Sequence, residues 1–101
     1  MKIPDKLKIL GFDWTIEDHK DIAYQGNCYG ATHQGSQKIF LEPDMTPQKR
    51  EQVFIHEMMH AIFWQMGLCE RYKKDKEIEE EIITTMSQGI YQVLKDNDLL
   101  K

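Results

Sequence analysis

The sequence predicts a small α+β domain in which about three antiparallel strands are followed by two helices. Three observations carry this reading. Segments with apolar residues at alternating positions, separated by glycine-containing turns, are confined to the chain before Pro43. From Thr46 onward the apolar residues recur at three- and four-residue spacing, bounded by helix start and stop signals. The 101 residues contain no repeat, low-complexity tract or linker, so residues 1–101 make one domain around one modest core.

Lys8 to Glu17 carries Ile9, Phe12, Trp14 and Ile16 in partial alternation, and Gly11 suggests a bend or bulge within a single strand. Asn27 to Thr32 is a second, shorter strand candidate. Gln34-Gly35-Ser36 marks a turn, and Lys38 to Glu42 follows as the third strand. Thr46 is a helix N-cap with Pro47 at the first helical position. That helix runs to about Met66, where Gly67 supplies the C-cap. Arg71 to Lys76 is a polar connection. A last helix spans roughly Lys76 to Lys95, with Ile82, Ile83, Met86, Ile90, Val93 and Leu94 as its apolar stripe. Asp96-Asn97-Asp98 stops it.

Composition narrows the function classes. A net charge of −4 argues against direct nucleic-acid binding, which needs a basic stripe. No apolar run is long enough to span a membrane. Pro4 and Asp5 interrupt the apolar run a signal peptide would need, so a cytoplasmic location is expected. Cys28 and Cys69 are the only cysteines and form no CxxC pair. A cysteine-rich zinc site is thereby excluded, and buried or idle thiols are the expectation.

The chemistry concentrates in His56-Glu57-Met58-Met59-His60. Histidines four residues apart on a helix lie on one face and can ligate one zinc ion, and the glutamate beside the first is placed as a general base. From Val53 to Trp64 these three are the only ionisable side chains. Burying them in an apolar helix is costly unless something compensates, and a bound metal does so. The alternative, two satisfied core histidines, requires the motif to have arisen by chance in a short chain.

A catalytic zinc typically takes three protein ligands. Position 66 is Met, so the third histidine of the metzincin extension is absent. His19 and His33 lie in the strand region and read as solvated turn residues. The last helix opens with Glu77, Glu79, Glu80 and Glu81. Such a run is ordinarily a solvated first turn that complements the helix dipole. Glu77 comes too early in the helix and Glu81 points away from the stripe, which leaves Glu79 and Glu80 equally placed to supply the ligand.

This arrangement, with H-E-x-x-H on one helix and a carboxylate on the next, resembles the gluzincins. The preceding strands, the small size and the ending QGIYQVLKDN resemble phage- and prophage-associated proteins of the ImmA/IrrE type, most closely over residues 47–97. The family pattern E-x-x-A-N-x-F-A, laid on Glu80 to Ser87, implies Glu80 as third ligand beside His56 and His60. Thr84 and Met86 replace its Asn and aromatic residue. The resemblance implies a zincin-like fold and a zinc metallopeptidase with Glu57 as catalytic base. Its substrate would be a protein, plausibly a phage or mobile-element repressor, lying along an edge strand at Lys38–Glu42. Tyr29, Tyr72 and His33 are candidates to stabilise the oxyanion. The competing reading is a zinc-containing regulatory protein that binds its repressor partner without cleaving it.

Overall fold

Leu10 and Gly11 set the sheet. Their φ angles of 49° and 86° are the left-handed pair that a two-residue type I′ hairpin turn requires. Lys8–Glu17 is therefore not one bent strand. It divides into β1 (Lys6–Ile9) and β2 (Phe12–Asp18), paired antiparallel with Ile9 opposite Phe12. The sequence hides this hairpin because leucine, not Asn or Asp, holds the first turn position.

The computed structural model describes residues 1–20, 29–68 and 75–100. β3 (Gly30–His33) and β4 (Lys38–Leu41) form a second antiparallel hairpin with Thr32 opposite Ile39. Its turn lies where the Gln34-Gly35-Ser36 signal predicts, and Gln37 closes it at φ 56°. The second strand candidate begins later than expected, at Gly30, and Asn27 and Cys28 lie outside the described residues.

β4 runs parallel to β2, with Ile16 beside Ile39, so among the described residues the sheet has four strands in the order β1-β2-β4-β3 and is mixed. This corrects the expected three-stranded antiparallel sheet in strand number and in direction. Alternation reports which side of a strand is buried and carries nothing about the sense of its neighbour. The correction matters for the site. β4 is paired on both sides, so among the described residues the strand with a free edge next to the helices is β3.

One sheet face makes the core. Trp14 and Ile16 of β2 and Ile39 and Leu41 of β4 alternate inward, and Trp14, Ile39 and Leu41 have no exposed surface. They pack against Phe54, Ile55 and Ala61 of α1 (Pro47–Gln65). Burial of each large side chain contributes about 1.5–3 kcal/mol. The indole N–H of Trp14 donates to Gln65 Oε1 at 3.2 Å, so the one polar atom of this core residue is satisfied.

Both helices start and stop as their caps dictate. Thr46 Oγ1 accepts the backbone N–H of Lys49 at 3.2 Å, Pro47 follows, and Gly67 ends α1 at φ 75°. At the start of α2 (Lys76–Asp96), Asp75 accepts the N–H of Ile78 at 3.1 Å. Asn97 Nδ2 closes its end on the Val93 carbonyl at 2.9 Å. Packing of α2 on α1 differs from the expected stripe. Ile83 and Ser87 are fully buried and Tyr91 packs on the core, while Met86 and Val93 are half exposed. A small serine lets the helices close, and its hydroxyl is satisfied by donating to the Thr84 carbonyl at 3.1 Å. Residue type alone does not place a serine in a helix interface. Among the described residues no helix is long and apolar enough to cross a membrane.

Candidate metal centre

The third and fourth turns of α1 present His56 and His60 on one face, their ring centroids 5.0 Å apart. Across from them, the first turns of α2 bring in Glu80. One carboxylate oxygen lies 2.9 Å from His56 Nε2 and the other 3.0 Å from His60 Nε2. The three side chains offer ligand atoms that all lie within 4.8 Å of one another. Glu80 is thus the carboxylate the structure brings to both imidazoles, in the position the family pattern implies.

The donor set fits a divalent transition-metal ion, zinc among them. Donors around a tetrahedral zinc at ~2.0–2.1 Å stand roughly 3.3–3.4 Å apart. The Nε2–carboxylate separations fall a few tenths of an ångström short of this. The Glu80 side chain is 54% exposed, so it has room to adjust. Two imidazole nitrogens and one carboxylate oxygen also match the borderline character of that ion.

The other glutamates of the acidic run do different things. Glu79 Oε1 lies 3.7 Å from Nδ1 of His60, the ring nitrogen turned away from Glu80. Glu77 and Glu81 are exposed. Thr84, which replaces the family asparagine, places its hydroxyl 3.4 Å from Glu80 Oε1 one turn along the helix.

Glu57 stands apart from the three donors and is 8% exposed. Its partner comes from β3. The Thr32 hydroxyl lies 2.9 Å from Glu57 Oε1 and 3.0 Å from the Glu57 backbone carbonyl. Burial pushes the Glu57 carboxyl above its usual range. The Thr32 hydrogen bond and the nearby His56 pull it back in part, and the charge of Glu80 adds to the rise. A carboxylate whose affinity for a proton is raised and whose orientation is fixed has the attributes of a general base.

β3 reaches Glu57 because Gly30 lets it. A Cβ at Gly30 would stand 2.7 Å from Val53 Cγ1 and 2.9 Å from Glu57 Cγ, so the strand lies directly on the helix there. Neither Gly30 nor Thr32 is apparent as a site residue from the sequence. The one available signal is their spacing, since residues two apart on a strand share a face. A cleft over the site is lined by both histidines, Glu57, Glu80, Gly30 and Tyr29.

The remaining candidates sort by position. Tyr29 borders the cleft, 47% exposed, with Lys49 Nζ 5.4 Å from its ring centroid. His33 is engaged in the β3–β4 turn, where its Nδ1 lies 2.7 Å from Ser36 Oγ and accepts the Ser36 N–H at 3.2 Å. His19 is exposed and stacks edge-on against Phe40. Tyr72, Cys28 and Cys69 lie outside the described residues. Comparison with protein families, with curated proteins and with solved structures finds no match for this chain. The functional reading therefore stands on the geometry of the site.

Proposed function

We propose that this chain is a zinc-dependent metallopeptidase of zincin-like fold that hydrolyses a peptide bond in a protein substrate. The observation that carries the reading is the division of labour among the two histidines and two glutamates. His56, His60 and Glu80 converge on one point, while Glu57 is buried beside them and tied to Thr32. A purely structural zinc site has no use for the fourth group.

His56, His60 and Glu80 would hold the ion, which when bound supplies Lewis acidity for activating water and polarising a carbonyl. Glu57 carries the proton. With Thr32 holding its Oε1, the carboxylate would accept a proton from water and pass it to the leaving amine. Tyr29, which lines the cleft, would be the candidate donor to the developing oxyanion.

The substrate's path differs from the sequence expectation, because β4 has no free edge. The Tyr29 carbonyl accepts the Glu42 N–H at 2.9 Å. Strand pairing alternates, so Ala31 and His33 bond to β4 while the main-chain groups of Gly30 and Thr32 face outward. An extended peptide can pair there, beside Glu57. By family resemblance, a phage or mobile-element repressor is the first protein to try.

The test is cleavage of an unstructured peptide library and of the repressor encoded beside the gene, read by mass spectrometry. Zinc-loaded wild type should cut, and Glu57→Gln should bind the same zinc but cut at least ~10²-fold more slowly. Intact peptides and intact repressor with fully loaded wild type would overturn the reading. Repressor binding and derepression that ignore Glu57→Gln would establish the regulatory binding protein instead.

A further inference from the structure

Thr32 is tied to Glu57 at one end and to the free edge of the sheet at the other. Its hydroxyl has one proton and two acceptors within reach, Oε1 of Glu57 at 2.9 Å and the carbonyl of the same residue at 3.0 Å. The carboxylate is thereby bridged to its own helix backbone, which restricts its side-chain rotation. Gly30, two residues earlier on the same face, removes the side chain that would hold the strand off the helix. The main-chain groups of Thr32 meanwhile point away from β4, and among the described residues no strand pairs with them there.

We propose that Thr32 is a positioning residue that holds the Glu57 carboxylate for proton transfer and links it to a peptide strand paired on the free edge of β3. The catalytic half rests on the peptidase reading; the contact itself does not. β3 is four residues long and, among the described residues, is paired on one side only. A peptide backbone bonded to the N–H and C=O of Thr32 immobilises that residue, and through its hydroxyl the carboxylate. Binding energy released at the sheet edge then appears in kcat and not only in KM.

The contact is tested without substrate or metal, by a double-mutant cycle on urea unfolding of the zinc-free protein. Thr32→Val should raise the unfolding constant by roughly tenfold in the wild-type background, the scale of a hydrogen bond to a charged group. In a Glu57→Met background the factor should be clearly smaller. Thr32→Ser, which keeps the hydroxyl and leaves Glu57 untouched, should behave as wild type even if Glu57→Met does not fold. An equal Thr32→Val factor in both backgrounds, or a Thr32→Ser loss as large as that of Thr32→Val, overturns the proposal.

The catalytic half uses the fastest-cut peptide of the library. Thr32→Val should lower kcat by about tenfold or more, with KM little changed and one zinc per chain retained, and Thr32→Ser should restore it. A raised KM at constant kcat would make Thr32 a mere binding contact and reject the positioning role. If wild type cuts nothing, the peptidase reading falls, while the unfolding cycle still decides whether Thr32 holds Glu57.

Discussion

The two glutamates that matter most are held in opposite ways. Glu57 on α1 is 8% exposed, and its carboxylate is pinned by a hydroxyl from another element. Glu80 on α2 has a side chain 54% exposed. Its contacts are the two imidazoles and, one turn away, the Thr84 hydroxyl at 3.4 Å. Glu57, the proton carrier of the proposed reading, is thus preorganised by the packing of β3 on α1. Glu80, the third ligand of that reading, would depend on whatever the histidines themselves hold. Loss of the metal should loosen Glu80 and leave Glu57 where it is.

The largest effect expected from this contrast is on metal content. The wild-type protein should carry about one zinc per chain after dialysis, and His60→Ala should carry almost none. Glu80→Gln should weaken retention strongly and Glu81→Gln should not, because only the former faces both rings. Elemental analysis checks all four proteins. Retention unaffected by Glu80→Gln but abolished by Glu79→Gln would shift the ligand by one residue and dissolve the contrast.

The next largest concerns rate. Glu57→Gln preserves size and removes the proton acceptor, so hydrolysis should fall by ~10²–10⁴-fold with zinc unchanged. Zinc lost together with activity would instead make Glu57 a ligand. Smaller again is Glu79→Gln, which removes the carboxylate facing His60 Nδ1. Competition with a chelator should show zinc affinity lowered by about 10–100-fold, the usual scale for an outer partner of a ligating histidine.

The smallest expected effect sharpens the account of β3. Gly30→Ala forces a methyl group against Val53 and Glu57, and overpacking of this kind costs about 1–3 kcal/mol. Urea unfolding should show that loss, and adding Val53→Ala should recover part of it. Full stability in Gly30→Ala would mean that the strand does not press on the helix.

The same contrast explains what the sequence discloses. The α1 half of the site is local: a four-residue spacing on one helix, with Thr46 and Gly67 bounding it, places His56, Glu57 and His60 without tertiary information. Glu80 needs the rotation of α2 against α1, which turns on buried Ser87 and not on the apolar Met86. Periodicity therefore leaves Glu79 and Glu80 level, and only the family pattern separates them. Thr32 is further removed, because its contact depends on the order of strands in the sheet. The expectation of three antiparallel strands fails where a Leu10-Gly11 turn stands in for an Asn-Gly one and where β4 pairs in parallel with β2.

The most direct measurement of the central claim is zinc K-edge X-ray absorption on the zinc-loaded protein. His56, His60 and Glu80 should give a shell of nitrogen and oxygen alone at ~2.0–2.2 Å, with two imidazoles in the outer scattering. Glu57→Gln should leave that spectrum unchanged and Glu80→Gln should alter it. A sulfur shell at ~2.3 Å, which would bring in Cys28 or Cys69, or a protein that binds no zinc at all, would contradict it.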